Sequence, residues 1–89
     1  MDVRWTAPAG QDLENIASHI GKDDPEAARR VVKALYEGAM SLDVMPNRGR
    51  SGRVVGTREL VFSPYIVVYR VTAAAIEILR IYHGAQDWP

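Results

Sequence analysis

The chain has 89 residues, of which 47% are hydrophobic and 25% are charged, with a formal net charge of zero and no cysteine. This composition is typical of a single folded domain, residues 1–89, and it excludes disulfides and thiolate metal sites. No apolar run reaches the roughly 18–20 residues that span a membrane, and the first residues do not read as a signal peptide. We therefore expect a cytoplasmic protein without a membrane partner.

A short strand and a helix are predicted first. Val3 and Trp5 alternate with charged and polar residues, as in a strand with one buried face. Thr6 has the position of a helix N-cap, and Gly21 that of a helix end. The apolar residues between them recur at helical spacing, and they are Leu13, Ile16, Ala17 and Ile20.

A second helix is predicted almost at once. Asp24 is the expected N-cap, and Pro25 has the backbone geometry that the first helical position requires. Pro46 is expected to end the helix. Its buried stripe is predicted to comprise Ala28, Val31, Val32, Leu35, Ala39 and Leu42. Because the joint between the helices is so short, we expect an antiparallel helical hairpin.

Three strands are predicted in the second half, at residues 58–62, 65–71 and 75–83. Their short connections permit only antiparallel hairpins. In the last strand one face is expected to carry Ile76, Ile78, Arg80 and Tyr82, and the other Glu77, Leu79, Ile81 and His83. Since neither face is purely polar, this strand is expected to be central. The predicted fold class is α+β, in the order βααβββ, with the helical hairpin packed on a small, mainly antiparallel sheet.

Four arginines gather in the irregular segment between the two halves: Arg48, Arg50, Arg53 and Arg58. We call residues 48–58 the arginine turn. Residues 1–47 carry five basic and eight acidic side chains, whereas residues 48–89 carry six arginines and three acids. Guanidinium groups form bidentate contacts with phosphates and carboxylates. The turn is therefore predicted to meet a nucleic acid, an acidic partner or the chain's own acids.

Three motifs, taken in order, carry a family resemblance. They are the opening WTAPAGQDLENIASHI, the P-x-x-G turn at residues 46–49, and the ending RELVFSPYIVVYRVTAAAIEILRIYHGAQDWP. Together they resemble the RelE/ParE superfamily, the toxins of type II toxin–antitoxin modules, which include plasmid stabilisation proteins. The resemblance implies a growth-inhibiting toxin without cofactor or metal, neutralised by a cognate antitoxin. Its assembly is expected to be a homodimer or a heterotetramer with that antitoxin.

The resemblance leaves two activities to choose between. RelE-like members cut mRNA on the ribosome, and ParE-like members inhibit DNA gyrase. Cleavage of RNA needs a base, an acid and cations for the developing phosphate charge. RelE-like nucleases carry an arginine where this chain has Ile66, and the prototype has two lysines where it offers Thr57 and Glu59. These departures favour a ParE-like toxin that inhibits gyrase by binding and is not an enzyme.

The alternative activity is a ribosome-dependent mRNA endonuclease. In that case His83 is the expected acid or base, because imidazole titrates near neutral pH, with Arg58 and Glu59 as its catalytic partners. A degenerate member that only binds its antitoxin is a further alternative. So is an RNA-binding module, which the neutral overall charge disfavours.

Candidate residues for contact with the antitoxin or target lie mostly in the second half. They are Arg48, Arg50, Arg53, Arg80, Tyr82 and Trp88. Cross-strand ion pairs are also expected, from Arg70 and Arg80 to Glu77 or Glu59. The helical hairpin and its flanking sheet are expected to carry an apolar groove, which a partner fills with an amphipathic helix or an added strand.

Overall fold

The computed structural model describes residues 1–84 and places two helices against a five-stranded sheet. Its elements are β1 (Asp2–Trp5), α1 (Ala7–Gly21), α2 (Pro25–Met40), a 3₁₀ helix (Ser41–Asp43), β2 (Arg50–Ser51), β3 (Arg58–Phe62), β4 (Tyr65–Val71) and β5 (Ala75–His83). The α+β class and the helical hairpin are as predicted. The predicted order βααβββ lacks β2, a two-residue strand inside the arginine turn. Such a strand is too short to show an alternating pattern in the sequence.

The strand order in the sheet is β1-β5-β4-β3-β2. Strands β2 to β5 pair antiparallel with their neighbours, and β1 runs parallel to β5. The prediction that the last strand is central is confirmed, because β5 lies between β1 and β4. The helices that connect β1 to the rest of the sheet cover its inner face. We call the opposite side of the sheet the outer face.

Both predicted N-caps of the helices are confirmed. The Thr6 hydroxyl accepts a hydrogen bond from the Ala9 N–H at 3.3 Å, and the Asp24 carboxylate accepts one from the Ala27 N–H at 3.0 Å. The prediction that α2 extends to Pro46 is wrong. The helix ends at Met40, where the chain tightens into the 3₁₀ helix. In residues 1–84 neither helix is long and apolar enough to cross a membrane.

The main core lies between the helices and the inner face of the sheet. Its large, fully buried side chains are Leu35, Leu42, Val67, Tyr69, Ile76 and Ile78. Of the stripe predicted on α2, only Val31 and Val32 are partly exposed; the others are buried. Gly38 is buried as well, because the Phe62 ring occupies the space that a Cβ would need. Any larger residue at position 38 would therefore have to displace the Phe62 ring.

A β-bulge in β5 changes which residues face the core. Val68 pairs with Arg80 and Tyr69 pairs with Ile78, so that Leu79 is the extra residue. The predicted alternation along the whole strand is therefore wrong. Ile81 joins Ile76 and Ile78 in the main core, and Tyr82 belongs to a separate cluster on the outer face with Ile66, Val68 and Leu79.

Candidate functional site

Thr6 and Asp12 hold the bulge of β5 at the point where β1 ends. The Thr6 hydroxyl lies 2.8 Å from the Ile78 carbonyl oxygen and 3.0 Å from that of Leu79. The Asp12 carboxylate of α1 accepts the N–H of Ile81 at 2.8 Å. Side chains thus replace the strand partner that β5 loses beyond β1, which satisfies backbone groups that would otherwise be unpaired.

Arg80 projects from the bulge and pairs with Asp12, not with Glu59 or Glu77 as predicted. The guanidinium donates from Nε at 2.8 Å and from Nη2 at 3.0 Å to the two carboxylate oxygens. These hydrogen bonds raise the pKa of Arg80 above its ordinary value. The predicted ion pair between Arg70 and Glu77 is confirmed, since Arg70 Nη2 lies 2.7 Å from Glu77 Oε1.

Glu59 is the buried acid of the outer face. Its side chain is 2% exposed, and Arg50 donates to Oε1 from Nε at 3.1 Å and from Nη2 at 2.9 Å. The backbone N–H of Arg53 donates to Oε2 at 3.3 Å, and the Tyr82 hydroxyl lies 3.5 Å from the same oxygen. A buried carboxylate is costly unless it is paired in this way. Glu59 therefore ties the arginine turn to the sheet.

Tyr82 shares this buried environment. It is 7% exposed and packs with Ile66 and Val68 on the outer face. Burial raises the pKa of Tyr82 above its ordinary value of 10.0, and the charge of Glu59 raises it further, against the lowering effect of Arg53 and Arg50. The hydroxyl is therefore a neutral hydrogen-bond donor at physiological pH.

Tyr69 fixes the start of the arginine turn from inside the core. Its hydroxyl accepts the Gly49 N–H at 2.8 Å and donates to the Pro46 carbonyl at 2.8 Å. A Cβ on Gly49 would lie 2.7 Å from the Tyr69 ring and 2.8 Å from the Glu59 carbonyl oxygen. Only glycine fits there without displacing the backbone. The P-x-x-G turn is thus shaped by a tyrosine that lies 20 residues from Gly49 and 23 from Pro46 along the chain.

Arginines of the turn bind the protein's own oxygens. Arg58 donates to the Gly49 carbonyl at 2.7 Å, and Arg48 donates to the Ser41 hydroxyl at 2.8 Å. The Arg48 guanidinium also lies 5.9 Å from the centroid of the Phe62 ring. Of the three possible uses of the turn, a pairing with the chain's own acids is therefore realised at Arg50, through Glu59.

The structure does not bring His83, Arg58 and Glu59 together. His83 pairs with Tyr65 at one end of β4, with ring centroids 5.7 Å apart, whereas Arg58 pairs with Tyr69 four residues along that strand. At about 3.3 Å per residue, this offset is roughly 13 Å. Glu59 faces the opposite side of the sheet from Arg58. These residues therefore do not form a common active site, and a catalytic role for them stays a prediction.

Other predicted site residues have separate surroundings. Arg48, Arg50 and Arg53 are exposed in the turn, and Tyr82 is buried on the outer face. Trp88 lies outside the described residues. Asp12 belongs to the opening motif that carries the family resemblance, but the sequence analysis predicts no contact for it, although its position three residues after Ala9 places it at the border of the apolar stripe of α1.

An apolar groove lies between α2 and the β3–β4 turn. It encloses about 250 Å³ and is lined by Val31, Ala34, Leu35, Phe62, Ser63, Pro64 and Tyr65. Ala34 is exposed, and the ring of Phe62 is partly so. The predicted groove between the helical hairpin and the sheet is thus present, at the end of the sheet where His83 lies.

The chain is similar to known toxins along almost its whole length. Residues 3–88 match the family model described as the ParE toxin of type II toxin–antitoxin system, parDE. A Sinorhizobium fredii protein named "Putative toxin Y4kP" is 44% identical over 89 residues, which cover 98% of this chain and 92% of that protein. A Caulobacter vibrioides protein named "Toxin RelE2" is 37% identical over 84 residues, which cover 94% of this chain and 96% of that protein.

Solved structures of toxin–antitoxin systems have the same fold. A chain of the chromosomal ParDE system from P. aeruginosa superposes with a TM-score of 0.84 at 32% identity, covering 93% of this chain and 95% of that one. A chain of the RelBE2 toxin–antitoxin complex from Mycobacterium tuberculosis has a TM-score of 0.67 at 30% identity, covering 92% and 95%. The chain therefore belongs to the ParE toxin family, within the RelE/ParE superfamily of type II toxin–antitoxin toxins.

Proposed function

We propose that this toxin inhibits DNA gyrase by binding to it, without chemistry of its own, and that a cognate antitoxin neutralises it. The observation that carries the proposal is the composition of the outer face around Ile66. Ile66 pairs with Val61 on one side and with Tyr82 on the other, so that an apolar row crosses the middle of the sheet. The match to the ParE family model supports the same activity.

The polar groups beside this row suit a structural role better than RNA cleavage. Cleavage requires a general base and cations placed around one phosphate. Glu59 already accepts two hydrogen bonds from Arg50, and Arg58 donates to the carbonyls of the turn. The arrangement favours inhibition by contact between surfaces.

The experiment compares two targets with the same purified toxin. The toxin is added to gyrase with relaxed plasmid and, separately, to a translating extract with a defined mRNA. We expect supercoiling to be inhibited, the mRNA to stay intact, and added antitoxin to restore supercoiling. Because His83 lies away from the outer-face cluster, His83→Ala should inhibit gyrase as the unmodified toxin does. If gyrase still supercoiled the plasmid when the toxin was in excess over it, the proposal would be contradicted.

The second candidate is the mRNA endonuclease, which the position of His83 favours. Its imidazole is exposed at the end of β5 beside the Tyr65 ring, where a base of RNA could stack. Specific mRNA cuts that disappear in His83→Ala, with supercoiling untouched, would establish this activity instead. A chain that affects neither target but binds its antitoxin would be a degenerate, non-toxic member.

The apolar groove is the proposed binding site of the antitoxin. Two structural neighbours come from toxin–antitoxin systems, which supports a partner of this kind. The groove offers Val31, Ala34 and Phe62 to an apolar side chain of an amphipathic helix or strand. Arg48 lies over the Phe62 ring at its border, where it could pair with an acid of the antitoxin.

A further inference from the structure

The outer edge of β1 is an interaction surface apart from both the groove and the outer-face cluster. In the part of the chain that the structure describes, β1 pairs with β5 alone. The Thr6 N–H donates to the Ile78 carbonyl of β5 at 3.0 Å. Alternate residues of a strand direct their backbone groups to opposite sides. Asp2 and Arg4 therefore also face β5, and the N–H and C=O groups of Val3 and Trp5 point away from the sheet.

The side chains of β1 form a self-complementary series. Asp2 and Arg4 lie on the outer face with 80% and 62% of their side chains exposed, joined by a long ion pair of 3.9 Å. Val3 and Trp5 lie on the inner face, where they pack against the main core. An acid, an apolar residue and a base thus follow one another. In a second copy that runs antiparallel, the base lies opposite the acid and the acid opposite the base.

We propose that this edge pairs antiparallel with the same edge of a second copy, about a two-fold axis at Val3. In that register the Val3 residues of the two copies lie opposite each other and exchange both backbone hydrogen bonds. Asp2 of each copy lies opposite Arg4 of the other. These side chains occupy non-hydrogen-bonded positions, where cross-strand side chains are closest, and two ion pairs join the copies.

The charges select this register among those that the backbone allows. Two edges can pair only where residues whose N–H and C=O groups point away from the sheet lie opposite each other. Such residues alternate along the strand, so the neighbouring allowed registers differ by two residues. One of them places Asp2 opposite Asp2 of the second copy, and the other places Arg4 opposite Arg4. Like charges directly opposite are destabilising. The register centred on Val3 is the one that pairs opposite charges throughout.

Exposed apolar side chains flank the edge and give a second copy something to cover. Trp5 stacks on Tyr36 of α2 with ring centroids 6.0 Å apart, and Tyr36 is 49% exposed. At the other end of β1, the amino group of Met1 donates to the Asp43 carbonyl, which brings the 80% exposed Val44 near the start of the strand. In the proposed register Met1 lies opposite Trp5 of the second copy. Both apolar contact and charge thus favour pairing.

Charge-reversed variants of the full chain test this interface by sedimentation equilibrium without antitoxin. The unmodified chain should dimerise reversibly as its concentration rises. Asp2→Arg and Arg4→Asp each place like charges opposite in both pairs, and each should weaken dimerisation about tenfold or more. Because both side chains are exposed, the melting temperature of each variant should hardly change.

Mixing the two single variants gives the decisive result. A heterodimer of Asp2→Arg with Arg4→Asp has opposite charges in both pairs, so dimers should return only in the mixture. The double variant with both changes should dimerise as the unmodified chain does. The matched control reverses the exposed pair of α2, Glu26→Arg and Arg29→Asp, which makes the same change of charge away from β1 and should have no effect.

Three results would overturn the proposal. The first is an unmodified chain that stays monomeric at the highest concentration at which it is soluble. The second is a dimer that the reversals at Asp2 and Arg4 leave unchanged, which would place the interface elsewhere. The third is a monomeric chain in which the amides of Val3 and Trp5 become protected from hydrogen exchange only when antitoxin is added. That result would assign the edge to the antitoxin.

Discussion

Tyr69 shows how one side chain connects the core to the arginine turn. Its ring is fully buried in the main core, while its hydroxyl bridges the Pro46 carbonyl and the Gly49 N–H. Gly49 is itself buried, so water cannot replace that bond without a rearrangement. The position of the arginine turn therefore depends on a core residue at least as much as on its arginines.

Replacing Tyr69 with Phe should destabilise the fold without changing the shape of the core. We expect the free energy of unfolding in urea to fall by about 1–3 kcal/mol, because the buried Gly49 N–H loses its acceptor. Tyr36→Phe is the matched control, since it removes the same hydroxyl from a half-exposed ring; its effect should stay within about 0.5 kcal/mol. Equal effects of the two changes would show that the bridge contributes nothing.

Sequence reasoning predicted residues well when their partners are local and poorly when the partners are distant. Thr6 and Asp24 were predicted as caps because a cap bonds to a backbone group three residues away. The sequence predicts Glu59 only as a catalytic partner of His83 or as a cross-strand ion-pair partner of Arg70 or Arg80. Its burial depends on Arg50 and Tyr82, which come together only once the sheet is formed. No spacing in the sequence reports such a contact.

At the scale of elements, the strand bounds were predictable and the bulge was not. The last strand has neither glycine nor proline near Leu79 to mark an irregularity, and its alternation looks continuous. The bulge is specified instead from α1, whose Asp12 binds both the Ile81 N–H and the Arg80 guanidinium. The bulge changes the surface of the sheet, because it moves Tyr82 to the outer face and Ile81 into the core.

Asp12→Ala should loosen the contact between α1 and β5. We expect a loss of about 2–3 kcal/mol in the free energy of unfolding, because the Ile81 N–H and the Arg80 guanidinium both lose a charged acceptor. Hydrogen exchange at the Ile81 amide should become faster. Asp12→Asn keeps an oxygen for that N–H and should cost less.

The control for this prediction is Asp23→Ala, in the exposed turn between the helices, where the effect should stay within about 0.5 kcal/mol. If Asp12→Ala were as mild as this control, the bulge would have to be stable through the strand pairing alone.

At the scale of the whole molecule, the fold separates three surfaces. The groove lies between α2 and the β3–β4 turn, Glu59 and Tyr82 lie on the outer face, and the β1 edge lies at the far side of the sheet from β3. The proposed contacts with an antitoxin, a target and a second copy can therefore use separate surfaces. Substitutions in one surface should then leave the others unchanged.

Ala34→Glu should separate antitoxin binding from the fold and from toxicity. Ala34 is exposed in the free chain, so the melting temperature should hold, whereas a bound antitoxin would bury the new carboxylate in an apolar groove without a partner. We expect the dissociation constant measured by calorimetry to rise by about tenfold to a hundredfold. Cells that make the antitoxin should then stop growing when this variant is expressed. Ala73→Glu, in the exposed β4–β5 turn, adds the same charge away from the groove and should remain neutralised. An Ala34→Glu variant that binds the antitoxin with unchanged affinity would place the antitoxin elsewhere, whatever the toxin's target.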